Sequence, residues 1–169
     1  STVRDWRELE PAASVGRRAG ERTIGRLGAR KLPTMKAPVL YSPDVARGLV
    51  GHFIGAIRGG SQYRRASFLL EAAGQRVFPD WFALSERPHL LKALASAPFD
   101  HEGVTTRDRE LVEAGVLLGY VLSTYSARKL GLRTTGNAGG THNLLVHCRD
   151  RDFDAMLALM GRGLLVTEL

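Results

Sequence analysis

Cysteine is nearly missing from this sequence, with Cys148 the single example in 169 residues. That excludes an internal disulfide framework and a paired-cysteine zinc knuckle, and it suits a reducing compartment in which Cys148 reads as an inert, half-buried strand residue. Also missing is any apolar run of about eighteen residues, and the opening STVRDWRELE has neither the basic start nor the apolar centre of a secretory signal. The chain is therefore expected to be soluble and intracellular, with no membrane partner. Aromatic residues are scarce at 7%. None interleave with the arginines of the first quarter, so stacking of bases has no platform there. No internal repeat or low-complexity segment breaks up the chain.

What the sequence does hold is positive charge, a formal net +7, and 44% hydrophobic residues, enough for one substantial core in one domain. Arg18, Arg22, Arg26 and Arg30 recur every fourth residue and fall on one helix face. A solvated or protein-facing basic stripe accounts for them better than a nucleic-acid surface does. A helix is expected from a Ser14 cap to about Arg30, weakened by four glycines. APVLY at 37–41 reads as a buried strand. Ser42-Pro43-Asp44 then starts a helix whose Val45, Leu49, Phe53 and Ile57 form the inner face, with Gly59-Gly60 ending it.

Beyond that helix the period changes. FLLEAAGQRVF (68–78) and WFALSE (81–86) read as strands, and ELVEAGVLLGYVL (110–122) as a hairpin turning at Ala114-Gly115 with Val116, Leu118, Tyr120 and Leu122 alternating. A short helix over 126–130 closed by Gly131, a strand LLVHC and a helix capped by Asp150 or Asp152 follow, with Phe153, Met156, Leu157 and Met160 inward. Hairpins kept apart from helices argue for an α+β fold, a mixed or antiparallel sheet with several packed helices. The first 13 residues are expected to be flexible. The ending LLVTEL, without a turn or polar tail, reads as a cut inside a longer chain.

The histidines form no ligand cluster by spacing. His142 and His147 are predicted to point to opposite faces, and His89 and His101 lie in loops. Asp100 and Glu102 sit one residue apart in FDHEGV, a pairing that more often stabilises a turn or meets an arginine than performs acid–base chemistry. TGNAGGTHN has the glycines of a phosphate loop without its lysine or its spacing, so Gly136, Gly139 and Gly140 read as backbone freedom.

Taken together, the stretch from Asp44 to Gly60, SFLLEAAGQRVFPDW, HLLKALASAPFDHEGV, STYSARKLGLRTTGNAGGTHN and MGRGLLVTEL resemble the central and C-terminal part of the TldD/PmbA metallopeptidase family, on its PmbA (TldE) side. The resemblance runs from about Gly16 onward. In this family the TldD-type subunit carries an HExxxH helix that holds zinc. Matching the shared Gly-His pair places that motif on Arg47 to His52, where Arg47 replaces the first ligand and Gly48 the general base. An arginine cannot coordinate a cation and a glycine cannot take a proton from water, so no catalytic or metal residue carries over and His52 alone survives. On an ideal helix, positions five apart are about 140° out of phase, and Gly51 sits where the bend such a site needs would fall. The residue-level alternative is that Gly48, Gly51 and Gly55 admit a close neighbour while His52 is hydrogen-bonded in the interior.

The resemblance implies a non-catalytic, cytoplasmic subunit of a heteromeric zinc metallopeptidase of bacterial type. It would bind no cofactor itself, take zinc chemistry from a TldD-like partner, and bind extended or unfolded peptide, as in maturation of peptide antibiotics or breakdown of antitoxins. His52, Asp100, Glu102, Tyr125, Arg128, Asn137 and His142 are the expected cavity or interface residues. Two rivals are a nucleic-acid or DNA gyrase-associated regulator, which the family's older name suggests, and an independent metallopeptidase using histidines outside the helix.

Overall fold

A computed structural model describes residues 2–149 and 151–169. The expected cap at Asp150 lies outside them. The elements are a 3-10 turn at Trp6–Glu8, then α1 (Ala12–Ile24), β1 (Val39–Tyr41), α2 (Pro43–Ile57), α3 (Gly59–Tyr63), β2 (Ala83–Glu86), β3 (Arg109–Glu113), β4 (Val116–Leu117), α4 (Thr124–Lys129), β5 (Leu144–His147), α5 (Phe153–Met160) and β6 (Leu164–Val166). Two sheets result. One is the parallel pair β1–β6, and the other is antiparallel in the order β4-β3-β2-β5. This is the expected α+β arrangement, and no helix among the described residues is long and apolar enough to cross a membrane.

The core forms where the C-terminal half of α2 meets the antiparallel sheet. Phe53, Ile54, Ala56 and Ile57 join Leu84, Leu111, Val112 and Leu117 in one buried cluster. Phe53 meets Phe78 edge-on at 4.9 Å, and Phe78 stacks on Phe82 at 4.2 Å between ring centroids. Each such buried side chain stabilises the fold by roughly 1.5–3 kcal/mol. A register shift between Leu84 and Ser85 explains how Leu111 and Val112, adjacent in β3, are both buried.

Several local expectations are corrected. The segment 68–78 is not a strand: Glu71 and Gly74 take left-handed backbone conformations that interrupt an extended run. Its N–H groups are used singly instead, Gly74 donating to Leu117 and Val77 and Phe78 to Gly115. The hairpin turn is as expected, but its second strand stops at Leu117, with Leu117 buried and Leu118 exposed. Strand alternation therefore does not extend to Leu122. Leu49 is exposed, so only the second half of the α2 stripe faces the core. Gly59 does not simply end that helix. Arg58 turns extended, and Gly59 opens α3 under Ser126 and Leu122, which a Cβ there would run into. Strands β1 and β6 are only half-buried, Cys148 is exposed, and Phe153 is 37% exposed.

Helix α1 starts after Pro11 rather than at Ser14, whose hydroxyl donates to Glu10. None of its residues is buried. Its place is set by charge: Arg18 grips both oxygens of Glu10, Arg22 pairs with Asp44 at the start of α2, and Arg26 pairs with Glu168 beyond β6. The Arg18 guanidinium and the Ser14 hydroxyl hold the Glu10 carboxyl down at about 2. Three members of the basic stripe are thus matched by carboxylates. Before α1, Arg4 donates to the carbonyls of Leu94 and Ser96, and Lys92 bridges Asp5 and Glu8.

The turn between β3 and β4 makes a measurable case. Ala114 has φ 45° and Gly115 φ 78°, and a Cβ on Gly115 would strike the carbonyls of Phe78 and Pro79. Two left-handed residues in succession are the primed hairpin turn, for which Asn-Gly is the favoured pair. Ala114→Asn should raise stability by up to about 1 kcal/mol, whereas Gly115→Ala should lower it by roughly 1–3 kcal/mol. Urea unfolding of the two variants checks both signs.

Candidate functional site

The polar interior gathers under the loop 134–143. Glu86, the last residue of β2, lies opposite Arg109 of β3 on one side and Leu144 of β5 on the other. It is 1% exposed. One carboxylate oxygen, Oε1, accepts from Asn137 Nδ2 at 2.8 Å, from the His142 backbone N–H at 2.7 Å, and lies 3.0 Å from His142 Nδ1. The other, Oε2, has no hydrogen-bond partner and stands 3.8 Å from Arg109 Nε. Arg109 in turn donates to Asn137 Oδ1 and to the Tyr120 carbonyl. Burial depresses the Arg109 pKa, with Glu86 acting in the opposite direction and Arg107 adding to the depression.

A second buried carboxylate holds the same loop from its other side. Asp100, 3% exposed, accepts backbone N–H groups from Glu102 and Val104 on Oδ1 and from Ala138 on Oδ2, at 2.8–3.0 Å. Burial alone would raise its pKa, but these three donors, with His101 nearby, prevail and hold it below its ordinary value. Gly136, Gly139 and Gly140 all have positive φ, and Gly139 packs against the His101 ring so closely that a Cβ would collide with it. Here the glycines are required by contact as well as by conformation.

The structure brings Asp100, Asn137 and His142 into this assembly. Glu102 is close by, its Oε2 accepting from the Thr124 N–H at the start of α4. Tyr125 and Asn137 line one cleft. Arg128 is exposed on the far turn of α4. His52 stands apart. It is exposed and lines a different groove with Gly51, Gly55 and Phe68, so the expectation of an interior histidine is corrected. Gly48, Gly51 and Gly55 face open space instead of a close neighbour. Sequence reading missed Glu86, Arg109 and Arg58. The signal for Glu86 was a carboxylate at the end of the short strand ALSE, two residues before Pro88.

Residues 47–52, which the resemblance aligns with a zinc helix, do not fit a metal. Arg47 pairs with Asp44 across one helical turn, Gly48 offers no atom, and among the described residues no group of three or more His, Cys, Asp or Glu side chains is arranged around a common point. His147 and His89 are engaged elsewhere, with Ser85 and Thr106.

Fold and site thus define an α+β domain whose polar interior is built around two buried carboxylates, Glu86 and Asp100. Residues 34–169 match the PmbA/TldA metallopeptidase C-terminal domain. The chain belongs to the PmbA/TldD metallopeptidase family. It is 51% identical over 162 residues to the metalloprotease PmbA of Escherichia coli O157:H7, covering 96% of this chain and 36% of that protein. Crystal structures of proteins carried under the name modulator of DNA gyrase superimpose closely. That from Bacteroides thetaiotaomicron has a TM-score of 0.88 at 31% identity, covering 96% of this chain and 37% of that one. That from Thermotoga maritima has a TM-score of 0.86 at 32% identity, covering 98% and 39%. The chain therefore spans little more than a third of the length of these relatives.

Two measurements address the site. Arg109→Met should cost about 3–5 kcal/mol in urea unfolding, because it strands the Glu86 charge, and adding Glu86→Leu should restore part of that loss. For Asp100 the folded pKa lies below its ordinary 3.8. Its stabilising effect is complete above that value and lost as pH falls through the lower folded one. Acid unfolding followed by circular dichroism should show a drop in that window, reduced in Asp100→Asn, which is already weaker by about 2 kcal/mol at neutral pH.

Proposed function

We propose that this chain is a non-catalytic, peptide-holding subunit of a cytoplasmic heteromeric peptidase, with zinc and hydrolysis supplied by a TldD-type partner. The observation that carries the reading is on helix α2: Arg47, which the resemblance sets at a ligand position beside Gly48 at the base position, is paired with Asp44. A fixed cation at that point repels a second one. The family's peptidase chemistry then has to come from another chain.

Peptide holding is supported by the sheet edge. β5 pairs with β2 on one side and has no strand on its other side among the described residues. Leu145 and Val146 are 38% and 46% exposed. An extended peptide that adds to such an edge gains backbone hydrogen bonds whatever its sequence, which suits a substrate class of unfolded chains. The buried Glu86–Asn137–His142 assembly lies at the start of this strand, since Glu86 pairs with Leu144. It fixes the edge in place.

The test is zinc content and hydrolysis of an unstructured peptide by the full-length chain, alone and mixed with a TldD-type subunit. The chain alone should carry substoichiometric zinc and leave the peptide intact, and the mixture should cleave it. One tightly held zinc per chain, with cleavage in the absence of a partner, would overturn the reading.

A further inference from the structure

Between α2, α3, α4 and the 137–140 loop lies a cavity of about 320 Å3 that none of the interactions above occupies. Its wall includes Arg58, Tyr63, Tyr125, Asn137, Gly139 and Gly140, and no acidic residue lines it. Arg58 is the residue at which the chain leaves α2 and enters α3. Its position is held by backbone on both sides: Gly59 N–H donates to the Val121 carbonyl and Val121 N–H to the Ile57 carbonyl. The guanidinium reaches across to Gly140, where a Cβ would sit 3.2 Å from Nη2. Neighbouring cations are engaged, Arg64 over the Tyr63 ring, Arg65 with Glu71 and Lys129 over the Tyr125 ring. The Arg58 backbone is used, its N–H donating to Gly55 and its carbonyl accepting from Ser61 and Gln62, but its guanidinium makes no hydrogen bond or ion pair among the described residues.

The rest of the wall adds donors and no competing acceptor charge. Tyr63 and Tyr125 meet edge to face at 5.8 Å, forming an aromatic side to the cavity. The Gly139 N–H donates to no acceptor among the described residues. The carboxylate behind the floor, Glu86, is already committed to Asn137, His142 and Arg109. A guanidinium with planar, forked donors beside an aromatic wall and a free backbone N–H is matched by a planar, two-oxygen anion.

We propose that this cavity binds a carboxylate group of a peptide, with Arg58 as its principal ligand and the Tyr125 hydroxyl and Gly139 N–H beside it. The chemistry has two sources in a peptide, the C-terminal carboxylate and an acidic side chain. The proposal rests on the peptide-holding reading for its biological sense, but the cavity can be tested without it. Either source would give a subunit otherwise indifferent to sequence a fixed point on its substrate.

The experiment is arginine modification of the full-length chain by phenylglyoxal, read site by site by mass spectrometry, with exposed Arg128 as the internal control. The probes are N-acetyl-dialanine as the free acid, its C-terminal amide, and N-acetyl-aspartyl-alanine amide. The free acid at about ten times its Kd should slow modification of Arg58 by about tenfold, the factor by which it lowers the unoccupied fraction, and leave Arg128 unchanged. Protection by the free acid alone assigns the site to a chain terminus, and protection by the aspartyl amide as well assigns it to any carboxylate. Equal modification of Arg58 with and without all three probes overturns the proposal. Anisotropy with a longer labelled peptide separates the two readings. Arg58→Gln should abolish the preference for free acid over amide while retaining sequence-independent binding. Binding with no such preference in the parent chain sinks the carboxylate site and leaves peptide holding intact. Protection of Arg58 without any binding of the long peptide upholds the cavity and sinks peptide holding.

Discussion

A single carboxylate buried in the middle of a sheet organises this domain. Glu86 cannot be solvated where β2 places it, so its charge must be met by groups brought from elsewhere. The loop 134–143 supplies Asn137 and His142, and β3 supplies Arg109. The pairing of three strands and the path of a ten-residue loop are thereby tied to one side chain. Such a pair adds less to net stability than a well-packed apolar substitute would, because both ions lose water. What it adds is register: a strand shifted by one residue would leave the charge unmatched.

The parts legible in the sequence were those written by local physics. Ser42-Pro43 marked the start of α2, Ala114-Gly115 the hairpin turn, Gly131 the end of α4, and LLVH the strand β5. What could not be read was decided at a distance. The apolar stretch 68–78 has the composition of a strand, but its N–H groups find acceptors singly on the β4 hairpin, and Glu71 turns left-handed. In α2 the periodic stripe is real, but only its second half meets the sheet, so Leu49 is exposed where Phe53 is buried. Of the site, Asp100, Asn137 and His142 were named from the loop motifs FDHEGV and TGNAGGTHN that carry the family resemblance. Arg58 and Arg109 were two among many arginines, with nothing local to distinguish them.

The family resemblance and the residue chemistry point in the same direction without being the same argument. Relatedness establishes the family and the fold. The chemistry of Arg47 and Gly48 offers no ligand and no base, and Arg47 is paired with Asp44. A fold shared with a peptidase family does not by itself assign peptidase chemistry, which rests on the residues of the site.

Helix α1 carries a different lesson. With no buried residue, it is attached to the start of α2 and the segment after β6 through arginine–carboxylate pairs at the surface. Pairs of that kind fade as dissolved ions shorten the reach of charge to about 8 Å at physiological ionic strength and to less above it, while the Phe53 cluster is indifferent to them. The molecule therefore has two kinds of cohesion with separate solvents of control. Its interior answers to temperature and denaturant, and its first helix answers to salt, a clasp that brine loosens without unfolding what it fastens.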